Sequence, residues 1–450
     1  MKKSKIFGIA AVLTATTLSV GVLSACGGGG NSVDGIRNDL ENRTDKYGNT
    51  LVTIMVHKDQ STKEGKAYQK CIDEFNNAYK SENIKAQISF VAQTSGVDKY
   101  ESTISTLYGQ GNGKLYDVIA FDAPKCAGYA SSNMFVDMTN LIGDYVDEFI
   151  PASVNMYNGK VYGLPIQESS AGFYYNMKVM KAAGISEAEL DGYKTNGWTF
   201  DQFKAVCGKL KNKGKTAVDM QLYSTGETST YLLYPLGNAA GGEYVSSDGK
   251  TVTGYLDSAE TKAGFQFIKD CISSGYTSYT VGSTEFLTGN TVGMYLSSGW
   301  TIPEIRDQYS SNFTEGWGIL PYPHAAGKDA VSATGSWSFA ITNNGIGDKS
   351  AAVKLIKWMT SDESAQTITA ATGMLTAKRT MEVTYDATSP EGVLYNQLVN
   401  TGKPRPSMSA YSDFSSEFNL ILTALRDDSV ESVISTHVTS LQTKINRNDR

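Results

Sequence analysis

From residue 51 onward, short apolar runs alternate with amphipathic stretches. Residues 51–56 (LVTIMV) are β-branched-rich and bounded by polar positions, the pattern of a short strand. Tyr68, Cys71, Ile72 and Phe75 then fall at i, i+3, i+4 and i+7, which predicts a helix over 66–80. A second strand is expected over 84–91, a second helix over 98–108, and a third, buried strand over 117–121 (DVIAF). Strands alternating with amphipathic helices predict an α/β fold with a mostly parallel sheet. The middle of the chain changes character. Residues 161–175 (VYGLPIQESSAGFYY) are aromatic and mixed. Helical spacing returns over 199–210, where Thr199 is a candidate N-cap, and over 257–272, capped by Asp257 or Ser258. Residues 292–296 and 338–342 read as strands, and 349–359, 361–370, 417–426 and 430–445 as helices. There is no internal repeat.

The N-terminus carries a different signal. Lys2, Lys3 and Lys5 precede an apolar stretch over 6–22 that is too short and weak for a comfortable membrane span. Small residues and Cys26 follow. Residues 1–25 therefore read as a secretory signal peptide. Leu23-Ser24-Ala25-Cys26 resembles the bacterial lipoprotein box, whose Cys is alkylated by a diacylglyceryl group. Two acyl chains hold a protein on a bilayer far better than one. Residues 26–49, Gly-, Asn- and charge-rich, read as the lipidated Cys and a flexible linker. These features place the chain on the extracytoplasmic face of a cell membrane, lipid-anchored.

Roughly 400 residues remain, more than one typical core, so two lobes are expected. The net charge of the whole chain is −6, and loss of residues 1–25 removes three Lys and no acid. So acidic a chain is a poor partner for nucleic acid. Beyond Cys26 lie Cys71, Cys126, Cys207 and Cys271. Three of them fall on apolar faces of predicted helices, as small buried hydrophobes do, and no CxxC or His/Cys cluster suggests a metal. No cofactor is expected. The three His (His57, His324, His437) belong to no HExxH motif, and no GxSxG occurs. Gly109, Gly111 and Gly113 miss both GxGxxG and the P-loop pattern. A glycosidase needs only two carboxylates at a set separation, which Asp122 and Glu168 could supply. A polysaccharide-gripping adhesin is the non-enzymatic rival.

Six motifs occur in order: YDVIAFD at 116–122, NGKVYGLP at 158–165, YYN at 174–176, WTFDQF at 198–203, FLTGNTVGM at 286–294 followed by SGW at 298–300, and KPRP at 403–406. Together, over roughly residues 51–445, they make the chain resemble the extracellular solute-binding lipoproteins of sugar-type ABC importers, the group that includes maltodextrin-binding proteins. The resemblance implies a two-lobed periplasmic-binding-protein-like fold of type II, with ligand held in a cleft between lobes joined by crossover segments. Residues 50–163 plus 340–373 would form lobe 1, and 164–339 plus 374–450 lobe 2. It implies a monomeric, non-enzymatic receptor that captures a sugar or oligosaccharide for ABC permease subunits, in a Gram-positive cell.

Sugars present apolar C–H faces and rims of hydroxyls, so their sites need aromatic platforms and planar polar groups. Trp300, just past a strand and a Gly, is the leading stacking candidate, followed by Trp337, Tyr231 and Tyr234. Tyr174 is expected to face the cleft with Tyr175 turned to the core, and Tyr411 follows the Pro-rich stretch. Asp122 is a hydroxyl acceptor or a helix N-cap. Glu168 is a hydroxyl acceptor, and Lys58 and Asp59 end the first strand as ligand contacts or a solvated loop. Trp198 and Trp358 read as structural. Eight Arg in the chain, half of them near its two ends, argue against a strongly anionic ligand.

Overall fold

The structure, a computed structural model, describes residues 44–92, 99–224, 226–289, 291–381 and 384–448. Cys26, the signal peptide and most of the linker lie outside them. The strands, in chain order, are β1 (Thr50–Val56), β2 (Ile84–Phe90), β3 (Val118–Asp122), β4 (Asn155–Tyr157), β5 (Lys160–Pro165), β6 (Ala171–Asn176), β7 (Thr216–Asp219), β8 (Val292–Ser298), β9 (Trp317–Leu320), β10 (Ser332–Thr334), β11 (Trp337–Ile341) and β12 (Gly402–Pro404). Among the described residues they form a six-stranded sheet in the order β2-β1-β3-β11-β5-β4, a four-stranded sheet β7-β8-β6-β9, and a small β10-β12 pair. Each of the two larger sheets has its own apolar core. One packs Ile54, Tyr68, Phe121 and Phe339, the other Phe173, Trp198, Phe203 and Leu296. The molecule is thus two α/β lobes.

The sheets are mixed rather than mostly parallel. β1 pairs in parallel with β2 and β3, as βαβ units require, but β11 runs antiparallel between β3 and β5. β11 is the return of the chain from the second lobe, so it arrives from the opposite direction. In the second sheet, β6 is antiparallel to both β8 and β9. The expected lobe border at 163/164 falls inside β5, because Leu164 and Pro165 still pair with Phe339 and Ser338 of β11.

Local signals account for the helices. Thr62 caps Lys63–Ala78 by accepting from Gly65 N–H, three residues ahead of the expected start. Thr199 and Gln202 close a capping box on Phe200–Lys211, and Ser258, not Asp257, caps Ala259–Ser273. Cys71, Cys126, Cys207 and Cys271 are buried free thiols. Trp198 is in a core, with its indole N–H on the Pro321 carbonyl.

Register decides what meets at the cleft. Because β11 is antiparallel to β3, Trp337 at its start stands opposite Asp122 at the end of β3. Lys58 follows β1 at that same edge. In the other lobe, Ala171 opens β6 opposite Ser298 at the end of β8. Residues 167–169 and Trp300 therefore gather at one edge of the second sheet. These two edges face each other, as expected for ligand sites beyond strand ends in open α/β sheets.

Candidate functional site

A cavity of about 330 Å³ lies between the lobes, within the usual range for small-molecule sites. From lobe 1 it is lined by Lys58, Glu64, Asp122 and Trp337. From lobe 2 and the crossovers come Gln167, Ser169, Glu227, Thr228, Tyr231, Trp300, Ser336, Thr372, Met374 and Arg405.

Its aromatic walls are built separately in each lobe. Trp337 lies flat on the His57 ring, with centroids 3.4 Å apart and 5° between planes, and Tyr100 meets it edge-on at 5.6 Å. The Tyr100 hydroxyl donates to the Met55 and Ala120 carbonyls, so the stack is anchored to β1 and β3. Gly335, at φ +99°, supplies the left-handed turn that brings the chain from β10 into β11 and delivers Trp337 to the cleft. On the other side Trp300 is 36% exposed, with its ring 6.0 Å from that of Tyr231. Tyr231 is held by its hydroxyl, which donates to Ser169 Oγ at 2.7 Å.

The polar part centres on Arg405, which is 5% exposed. Its guanidinium donates to both Asp122 oxygens at 2.7 and 3.0 Å, to Glu227 Oε1 at 2.5 Å and to the Gly335 carbonyl at 3.1 Å. It therefore joins a lobe 1 carboxylate to a lobe 2 carboxylate. Lys58 pairs with Glu64 at 2.8 Å. Behind Trp337, His57 is fully buried with neither ring nitrogen hydrogen-bonded, and burial, then the Lys58 charge, push its pKa well below the ordinary value. Its imidazole is neutral and backs the Trp337 ring face to face.

The structure brings Lys58, Asp122, Tyr231, Trp300 and Trp337 together and sets five other candidates apart. Asp122 stands at the N-cap position of the turn Ala123–Lys125 but makes no capping bond, because Arg405 takes both its oxygens. Glu168 is buried behind the wall. It accepts from Ser153 Oγ, Thr334 Oγ1 and the N–H groups of Gly335 and Ser169, and ties the crossovers together. Alternation along an extended chain explains this: Gln167 and Ser169 face the cleft, so Glu168 points the other way. Asp122 and Glu168 thus do not face each other as a hydrolase pair would. Tyr174 is a core residue, with its hydroxyl on the Ser298 carbonyl and its ring stacked on Trp317. Tyr234 sits nearly two turns, roughly 10 Å, beyond Glu227 along the helix Glu227–Asn238. Its hydroxyl is bound to the Lys403 carbonyl. Tyr411 supports Glu227 from behind through a hydroxyl bond. Asp59 is exposed and accepts from the Ser61 N–H and Oγ in its own loop.

Sequence reasoning missed Glu64, Gln167, Ser169, Glu227, Thr228, Ser336, Thr372, Met374 and Arg405. Arg405 lay within the KPRP motif, and a lone Arg in a chain poor in Arg was the available signal. The remainder carry no local pattern.

A family model described as "Bacterial extracellular solute-binding protein" matches residues 70–390. The chain belongs to this family. As its name states, the family acts outside the cytoplasm. This solute-binding protein is 26% identical over 210 residues to the arabinooligosaccharide-binding protein of Bacillus subtilis (strain 168), covering 46% of this chain and 44% of that one. It is 22% identical over 191 residues to the protein of the same name from Halalkalibacterium halodurans, covering 41% and 39%. The matched stretch spans less than half the length of these relatives. Among solved structures, the cyclic alpha-maltosyl-1,6-maltose binding protein of Arthrobacter globiformis superposes with TM-score 0.75 at 18% identity, over 89% of this chain and 100% of that one. The sugar-binding protein MalE of Xanthomonas citri gives 0.72 at 16%, over 89% and 98%. These likenesses show the two-lobed periplasmic-binding-protein fold.

Proposed function

We propose that this chain is a receptor that captures a sugar or oligosaccharide between its lobes and hands it to the membrane subunits of an ABC importer. The observation that carries the reading is the make-up of the cleft. Trp300 and Trp337 offer apolar ring faces from opposite lobes, and Gln167, Ser169, Thr228, Ser336 and Thr372 supply neutral hydrogen-bonding groups between them. Stacking on C–H faces with polar groups at the rim is what a carbohydrate requires. Relatives and structural neighbours named for sugar binding support the same reading. The receptor works as a monomer, without turnover, and Cys26 is its lipid anchor to the extracytoplasmic face of a Gram-positive membrane.

A thermal-shift screen of residues 27–450 against glucan, arabinan, xylan and galactan oligomers tests this. A ligand bound only by the folded state stabilises it by about 2.7 kcal/mol at a hundredfold excess over Kd. The expected result is stabilisation by at least one saccharide and recovery of that saccharide unchanged after long incubation. Stabilisation only by amino acids, polyamines or phosphate esters refutes the sugar reading, and hydrolysis of the saccharide refutes binding without turnover.

A further inference from the structure

We infer that this cleft selects uncharged saccharides and rejects uronates, and that the carboxylates paired with Arg405 and Lys58 set this preference. The inference rests on the sugar reading above and specifies it further.

Five ionic side chains line the cavity: two cations, Lys58 and Arg405, and three carboxylates, Glu64, Asp122 and Glu227. Both cations already face a carboxylate of this chain. Arg405 has five N–H donors. Two go to Asp122, one to Glu227 and one to the Gly335 carbonyl, which leaves only the Nε–H without a partner. Lys58 is held by Glu64 Oε2. Among the described residues the cleft therefore offers no guanidinium with a pair of free, parallel donors for a carboxylate, and the Lys58 charge is already balanced by Glu64. His57 adds none, being buried and neutral behind Trp337.

The carboxylates are not all spent. Glu64 Oε1 is buried in the cleft wall with no hydrogen-bond partner. A uronate carboxylate brings only acceptors and would sit beside a cluster that is already one charge negative. Removing a cleft carboxylate should relax this rejection. Glu227→Gln keeps the side chain's size but leaves Arg405 with a single carboxylate partner. Glu64→Gln frees Lys58 without touching Arg405.

The test compares neutral and acidic probes of equal length by titration calorimetry: arabino-, malto-, xylo- and galacto-oligosaccharides against di- and trigalacturonate and glucuronate. In the wild type at least one neutral probe binds, and every uronate binds at least tenfold more weakly. In Glu227→Gln or Glu64→Gln the ratio of uronate to neutral affinity rises at least tenfold. Either variant suffices, so poor folding of one leaves the other decisive. A uronate that binds the wild type within tenfold of its neutral counterpart, or a ratio unchanged in folded variants, overturns the inference while the sugar reading stands. Binding by no saccharide of either kind removes the sugar reading and this inference with it.

Discussion

Replacing Trp300 with Ala is the sharpest test of the cleft. Trp300 is 36% exposed, whereas Trp198 is 1% exposed. A Trp side chain buries up to roughly 250 Å², so about 90 Å² of Trp300 is free for a ligand. At about 25 cal/mol per Å² a sugar covering that face gains roughly 2 kcal/mol. The alanine variant should therefore bind about thirtyfold more weakly. The part of the ring already packed on Tyr231 is lost as well, so some stability goes with it. Trp300→Leu separates the two effects. Leu keeps much of the apolar packing but has no ring face, so its unfolding midpoint should stay near that of the wild type while affinity still drops at least tenfold. Calorimetric titration with the best saccharide, together with a denaturant melt of each variant, gives both numbers. Affinity within threefold of wild type in both variants would show that the exposed face of Trp300 is not a platform for a sugar.

Two buried groups outside the ligand contacts give pH dependences of opposite sign. His57 is neutral when folded and takes a proton near pH 6.5 when unfolded, so stability is full above that value and falls as the pH drops below it. His57→Phe should remove this acid sensitivity in melts recorded between pH 7.5 and 5. Asp219 is raised from 3.8 to about 7, chiefly by burial, so the folded state holds a proton that the unfolded chain releases above about pH 4. Its contribution declines as the pH rises from about 4 to about 7, by up to roughly 4 kcal/mol at about 1.4 kcal/mol per unit. Asp219→Asn should be more stable than wild type at pH 8 and lose that advantage near pH 4; equal melts at both values would show that the carboxyl is not held protonated. Cys26→Ala should release the protein from the membrane fraction, or block its processing, with ligand affinity unchanged. A variant still processed, lipid-labelled and membrane-bound would refute the anchor.

The elements were legible where periodicity is local. The 3.6-residue spacing of Tyr68, Cys71, Ile72 and Phe75 and the N-cap Thr199 appear in the structure as helices. The antiparallel entry of β11 was not legible, because it depends on the chain having first built a second lobe. The site divides in the same way. Trp300 and Lys58 sit just past strand ends, and Trp337 opens a strand, positions that a sequence marks. Glu168 and Tyr234 were misplaced because the facing of a side chain depends on where the neighbouring crossover or sheet runs. Arg405 and Asp122 are 283 positions apart and carry no mutual signal until the lobes bring them together.

The cleft's contacts are also divided by type. Apolar contacts behind each aromatic platform stay within one lobe: His57 and Tyr100 back Trp337, and Tyr231 meets Trp300. Polar ties cross between lobes: Arg405 to Asp122, and Lys63 to Asp307 at 2.9 Å. Exposed ion pairs such as Lys63–Asp307 are worth at most about 1 kcal/mol, since water replaces them readily. Apolar surface parted across the cleft would cost about 25 cal/mol for every Å² exposed. Across the cleft itself these ion pairs, not the two ring platforms, tie one lobe to the other, so the platforms stay whole when the ties break. A hinge motion that admits solute needs that property. The buried Arg405–Asp122 pair is the costlier of these ties to break, so under the proposed receptor function it would oppose opening more than Lys63–Asp307 does.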